Sequence, residues 1–437
     1  MEAKWFTPQK IAIFISAVLS VAIMFLAFIR SGDEEPLQYV IFAAILFGTD
    51  FLLCEKINSK YSAVMAVLFI FLNAVGMGLI PLNGSSVIST LLIIAVAITT
   101  AFIFFKLMRA VSEWIYRSKR NTVITLTVIG CCTVACYLVL FLFPKINNAR
   151  AWIVIGKFTF QLTEITKLLF LVSLSVIFAS PHIRRQVICS LIFLGMNIIF
   201  LCIHNELGTA FVIAITWLIV QFIFTKTKQG LMIVFVSFIA AMFIIMTVTA
   251  LYNESGGANG QDILSTIVNK IYLRIFPTDT YQTDIALQSF VNGGILGASH
   301  DYVLDIPIAE SDFAFANLCQ RFGALFGIIV ILSFVVMIFD IYKFSDECDI
   351  MAHDFRLSLI FIIVMTVQMS IVVFTNTGVL ATIGICAPFI SEGGSQCVIT
   401  YTMALYIVSA MSPQVRKIRK KRIKREEIFE DETKMPL

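Results

Sequence analysis

Residues 11–29 read IAIFISAVLSVAIMFLAFI, a run without a charge, bounded by Lys10 and Arg30. At about 1.5 Å of rise per residue, such a run spans roughly 30 Å as a helix, the thickness of a bilayer's hydrocarbon core. It lacks the short apolar core and small-residue cleavage site of a secretory signal. We read it as a retained first membrane helix. The same pattern recurs along the chain, near 37–54, 61–80, 87–105, 122–143, 162–180, 186–203, 209–225, 230–252, 322–342, 357–376 and 396–411. That makes about twelve spans. Of the 437 residues 59% are hydrophobic and 14% charged, and 40 are Phe. Too few charges remain to cover a water-soluble globule of this size. The expected fold class is an all-α polytopic membrane protein.

Charge placement tests the count, because cytoplasmic loops collect Lys and Arg. With the N-terminus inside, alternate connections hold Lys56 and Lys60; Lys106, Arg109, Arg117, Lys119 and Arg120; Arg184 and Arg185; Lys226 and Lys228; Lys343 and Arg356. The basic tail Arg416–Arg425 falls on the same side, where it meets anionic lipid headgroups. The opposite connections, such as Gly32-Asp33-Glu34-Glu35 and Asn83-Gly84-Ser85, carry few cations. Both termini are therefore expected in the cytoplasm. Three segments stand out on the other side: 147–152, the long connection 253–321, and 387–396. Within the second, Ile263, Leu264, Ile267, Val268 and Ile271 share one helical face over 262–276, which either lies on the membrane surface or packs on the bundle.

Several chemistries find no support. The cysteines, such as Cys131, Cys132 and Cys136, are scattered through apolar runs and read as packing residues. No Cys or His spacing suits zinc, and His182, His204, His300 and His353 lie far apart. The glycine-rich stretches follow no strand, so there is no phosphate loop, and no nucleic-acid partner is implied. What remains is a set of polar residues at the ends of spans. Glu164 and Lys167 lie three apart on one helical face, as a site or as a structural ion pair. Glu206 opens a span with the same two readings. Ser311 and Asp312 have the composition of a helix N-cap.

Five segments, in order, resemble one family. Ala149-Arg150-Ala151-Trp152-Ile153 followed by Phe160-Gln161-Leu162-Thr163-Glu164-Ile165-Thr166-Lys167-Leu168 is similar to A-R-R-W-I…F-Q-P-S-E-x-A-K-L. Glu206-Leu207-Gly208-Thr209-Ala210 is similar to D-L-G-T-A. Tyr281-Gln282 with Gly293-Gly294-Ile295-Leu296-Gly297 resembles Y-Q…G-G-L-F-G. Pro307-Ile308-Ala309-Glu310-Ser311-Asp312-Phe313-Ala314-Phe315-Ala316 resembles P-E-A-H-T-D-F-I-F-A, and Pro388-Phe389-Ile390-Ser391-Glu392-Gly393-Gly394-Ser395 resembles P-F-I-S-Y-G-G-S. These are signatures of the SEDS family of bacterial cell-wall polymerases, which includes RodA, FtsW and SpoVE. The chain departs from them at Ala151, at Ile308 and Glu310, and at Gln320-Arg321, where the family carries Arg, Glu and His, and an acidic pair.

The resemblance implies a ten-helix core at 61–411, containing the extracellular loop 253–321, preceded by an extra N-terminal helix pair at 1–60 and followed by a cytoplasmic tail at 412–437. It implies a bacterial inner-membrane peptidoglycan glycosyltransferase that polymerises lipid II and releases undecaprenyl diphosphate. Whether it serves elongation, division or sporulation is left open. Asp312 matches the family's essential Asp and is the candidate base, with an N-cap role beside it. Arg150, Lys157 and Lys167 are candidates for the diphosphate. Glu164, Glu206, Gln282, Glu310 and Ser391 complete the candidate substrate-binding set. Glu310 would raise the Asp312 pKa, help hold a divalent cation, or simply be solvated; no other cofactor is implied. The implied partner is a class B penicillin-binding protein. A lipid-precursor flippase and a non-catalytic scaffold for that protein are the alternatives.

Overall fold

The computed structural model describes residues 7–411 except 34–35, 85–86, 116–117, 147–148, 156–157, 180–181, 348–352 and most of 226–280. Its helices are α1 (Pro8–Ser31), α2 (Leu37–Cys54), α3 (Lys60–Leu82), α4 (Val87–Ile115), α5 (Lys119–Leu140), α6 (Leu162–Ile177), α7 (Ile183–Ile203) and α8 (Leu207–Thr225). After the undescribed stretch come α9 (Tyr281–Gly293), α10 (Ala314–Phe322), α11 (Ala324–Glu347), α12 (His353–Asn376) and α13 (Gly394–Ala410). Among the described residues nine helices are long and apolar enough to cross a membrane: α1 to α5, α7, α8, α11 and α12. The chain is a multi-pass membrane protein. Helices α6 and α13, of 16 and 17 residues, also coincide with expected spans. The expected span 230–252 and the amphipathic segment 262–276 lie largely outside the described residues.

Helix boundaries follow the local sequence. Thr7 caps α1 by accepting from the Lys10 N–H, Pro8 occupies its first turn, and Gly32 ends it at φ +70°. Ser59 and Ser62 form a reciprocal capping box at the start of α3. The helices then sort by burial. The membrane-length stretches of α3 and α12 are 72% buried, whereas those of α4, α5 and α7 are 28% buried. Nearly all of α6 and α13 is buried as well. So α3, α6, α12 and α13 form the centre. The outer helices turn large apolar side chains such as Phe14, Phe25, Leu92 and Ile199 outward, as a lipid solvent requires.

Polar side chains inside the bundle pair across helices. Asp50 (α2) accepts from Asn73 Nδ2 (α3) at 2.8 Å and from Ser16 Oγ (α1) at 3.3 Å. Tyr401 (α13) donates to Asn73 Oδ1. One network thus ties α1 and α2 to two central helices. At one end of the bundle, Arg109 faces Asp354 at 3.5 Å, and His353 bonds Ser112 and Ser175, each at 2.9 Å. The other end holds the irregular segments and the candidate site.

Three elements there depart from the sequence reading. A two-stranded antiparallel hairpin, β1 (Trp152–Ile155) with β2 (Phe158–Gln161), precedes α6 as a small addition to the all-α bundle. The described part of the long loop is ordered into α9, a short 3₁₀ turn at His300–Tyr302 and α10. The expected span at 322 begins at Ala324 instead, because Gly323 (φ +95°) breaks the chain between α10 and α11.

The segment 387–392 reaches deep against α3. A Cβ on Gly76 would lie 1.9 Å from the Phe389 carbonyl oxygen, and Phe389 itself sits at φ +66°. Only a residue without a side chain admits that backbone. We predict that Gly76→Ala costs about 1–3 kcal/mol through overpacking, read as a lower unfolding temperature of the purified protein in detergent.

Candidate active site

Residues 307–313 form a run of turns that ends where α10 begins. Ile308 sits at φ +56°, a strained conformation for a β-branched residue, and its carbonyl accepts the Ser311 and Phe313 N–H groups. Helix α10 has Phe313 at its N-cap, and the Phe313 side chain does not cap it. Asn376, the last residue of α12, does so from outside. Its Oδ1 accepts the Ala316 N–H at 2.9 Å, and its Nδ2 donates to the Asp312 carbonyl at 2.8 Å. The N-cap position itself falls on Phe313, one residue past the Ser311–Asp312 pair.

A second set of bonds fixes the same turn to 387–392. Ser391 Oγ accepts the Ala387 N–H at 2.8 Å and donates to the Ser311 carbonyl at 2.7 Å. The Glu392 N–H donates to the Glu310 carbonyl at 2.9 Å. Ser391 is buried and acts here as a staple between two turns. The Asp312 side chain is half-buried, with Oδ2 3.5 Å from the position a Cβ would take on Gly384. Gly384 lines a cavity of about 30 Å³ with Gln161, Glu164, Lys167, Thr209, Gln368 and Cys386.

Within that cavity Lys167 Nζ pairs with Glu164 Oε2 at 2.5 Å and reaches Gln396 Oε1 at 3.5 Å. Both charged residues are buried. The buried Gln368 Oε1 has no hydrogen-bond partner. Burial pushes the Cys386 thiol pKa up, and the negative charges of Asp312 and Glu164 push it further. The site therefore sets a carboxylate at its edge, a buried ammonium–carboxylate pair within, and an unsatisfied amide acceptor in the wall. A base and a cation so placed suit the removal of a proton from one group and the stabilisation of a departing anion.

Other expected residues lie elsewhere. Arg150 donates its backbone N–H to the His204 carbonyl at 2.9 Å and sets its guanidinium 5.6 Å from the Phe141 ring centre. It does not line the Lys167 cavity. Lys157 lies outside the described residues. Glu206 precedes α8 and accepts the Ala210 N–H through its carbonyl. Gln282 is half-buried in the first turn of α9, and Glu310 is exposed. Gln320 and Arg321, which replace the family's acidic pair, hold backbone. Gln320 Nε2 donates to the Leu304 carbonyl at 2.9 Å, and Arg321 Nη2 to the Leu82 carbonyl at 3.0 Å. Sequence reasoning missed Asn376, Gln368, Thr209 and Cys386. Gln368 carried a signal, being a lone amide in the apolar run 357–376.

The profile of the FtsW/RodA/SpoVE cell cycle protein family matches residues 64–417. The chain belongs to that family. Its first two helices precede the match. Relatives within the family include the probable peptidoglycan glycosyltransferases FtsW of Marinomonas mediterranea and Borreliella burgdorferi. The first is 27% identical over 62% of this chain and 68% of its own length, and the second 24% identical over 60% and 72%. The fold is that of a chain from a peptidoglycan synthase complex that coordinates polymerization and crosslinking (TM-score 0.60, 17% identity, 79% of this chain and 96% of that one). It is also that of RodA from Thermus thermophilus (TM-score 0.51, 17% identity, 79% and 95%).

The buried pair makes an energetic prediction. Lys167→Met leaves Glu164 as an uncompensated buried charge and costs about 3–5 kcal/mol, whereas adding Glu164→Gln recovers much of the loss. Denaturation of the two single variants and the double variant in detergent measures that coupling.

Proposed function

We propose that this SEDS-family chain is a peptidoglycan glycosyltransferase that polymerises lipid II, with Asp312 as the base. A sugar hydroxyl of one chain attacks the anomeric carbon of the other. Its proton passes to Asp312, the bond from that carbon to the diphosphate oxygen breaks, and undecaprenyl diphosphate leaves with the electron pair. Lys167, held by Glu164, supplies positive charge toward the leaving group. Arg150 and Lys157 are the further candidates for contact with the diphosphate. The observation that carries this reading is the placement of Asp312 beside Gly384, at the edge of the cavity that holds Lys167.

The chain lies in a bacterial inner membrane with both termini cytoplasmic, so that the end bearing Asp312 faces outward. Its partner is a class B penicillin-binding protein that crosslinks the strands made here. The likeness to a subunit of a polymerising and crosslinking complex supports that choice.

Reconstitution with labelled lipid II tests the proposal. Asp312→Ala and Asp312→Asn should each abolish polymer formation, a loss of at least about 100-fold for removing a general base, while the folded protein is retained. Translocation of lipid II without polymer, insensitive to these changes, would replace the proposal with a flippase. Partner binding with neither activity would leave a scaffold.

A further inference from the structure

Helices α1 and α2 lie before residue 64, where the family match begins, yet they grip the outer machinery of the core. Arg30 stands in the last turn of α1. Its Nη1 donates to the carbonyls of Gly297 at 3.2 Å and Ala298 at 3.0 Å, and its Nη2 to that of Leu296 at 2.5 Å. These carbonyls close the Gly293–Gly297 segment. Two residues past Arg30, a Cβ on Gly32 would lie 3.0 Å from the His300 ring, so the turn after α1 packs on the same loop. That turn is itself braced. Asp33 accepts from Tyr39 and Gln38, and the Tyr39 ring meets Phe28 edge-on at 5.4 Å.

The gripped segment rests in turn on α10. The Ala298 N–H donates to the Gln320 carbonyl at 2.8 Å, and a Cβ on Gly297 would lie 2.3 Å from the Arg321 carbonyl oxygen. Helix α10 begins two residues after Asp312. At mid-depth the Ser16–Asp50–Asn73–Tyr401 network fastens the same helix pair to α3 and α13, and α3 is the helix against which Phe389 packs. The pair is thus anchored to the core at one level and holds the Asp312 side of the site at another.

We propose that Arg30 is a positioning residue, and that α1–α2 is a built-in brace that sets residues 294–304, and through α10 the Asp312 turn, in working register. The proposal rests on the glycosyltransferase reading for its catalytic consequence, but not for its structural one. Three successive carbonyls directed at one point need several donors in a fixed fork, which guanidinium provides and a lysine ammonium reproduces only in part. A displaced loop moves the carboxylate relative to the sugar, and rate is steeply sensitive to such shifts.

The test uses the full chain in nanodiscs, with Arg30→Ala, Arg30→Lys and, as a lipid-facing control on the same helix, Phe25→Ala. We expect Arg30→Ala to lower kcat for lipid II polymerisation roughly tenfold with little change in KM. Arg30→Lys should recover part of the loss, and Phe25→Ala should match the parent. Amide hydrogen exchange in 294–304 should quicken in Arg30→Ala while α3 and α13 stay protected. Unchanged kcat with unchanged exchange would overturn the inference. So would a quickening spread evenly over the bundle, which would make Arg30 a contributor to stability alone. If the parent chain forms no polymer, the function proposed above fails, while the exchange readout still decides whether Arg30 holds the loop.

Discussion

Backbone polar groups at membrane depth must find partners within the protein, because lipid offers none. The candidate site is built from two irregular turns, 307–313 and 387–392, which cannot satisfy themselves as a helix does. Two small side chains meet that constraint. Ser391 both accepts and donates, and Asn376 does the same. Between them they join three separate stretches of chain around Asp312. Remove that pairing and the turns would need water, the bundle end would open, and no fixed geometry would remain for a carboxylate to act in.

The buried pair inside the cavity belongs to the same logic. Taking Lys167 and Glu164 out of water costs several kcal/mol per ion, and their attraction only roughly offsets it. A pair of apolar residues would serve stability as well or better. Its presence next to the Asp312 turn is thus better explained by chemistry than by folding. Under the proposed function, a cation held ready in a low-dielectric site would act on a departing diphosphate without reorganising, which is where electrostatic catalysis draws its strength.

The legibility of this molecule was uneven for physical reasons. Membrane spans announce themselves, because a twenty-residue apolar run has few other fates. Helices such as α1, α3 and α12 therefore stand close to where hydropathy puts them. The hairpin at 152–161 was harder to see. Each arm is four residues, and Trp, Ile, Val and Phe serve a membrane helix as readily as a strand. Asp312, Glu164 and Lys167 were legible as members of motifs, but their convergence was not, since it depends on Gly384 and Cys386, which lie outside the five matching segments. Asn376 gave no signal at all, because a terminal amide on a span looks like an ordinary helix end. Ser391 was visible as a motif residue, yet its work as a staple could only be seen once 311 and 387 were neighbours.

The departures from the family pattern carry a consistent meaning. Gln320 and Arg321 abandon the acidic chemistry and bind backbone carbonyls of Leu304 and Leu82. Glu392, where the motif has Tyr, accepts from Asn83, which in turn accepts from Asn317 at 2.8 Å. These bonds join α10 to Leu304 and to the end of α3, and Glu392 to the residue that caps α3. Arg30 adds three more from a helix that precedes the family match. Here the charged groups of Arg321, Glu392 and Arg30 are each engaged in hydrogen bonds within the protein. The Asp312 turn is held directly by Asn376 and Ser391, and these outer bonds fix the elements on either side of it.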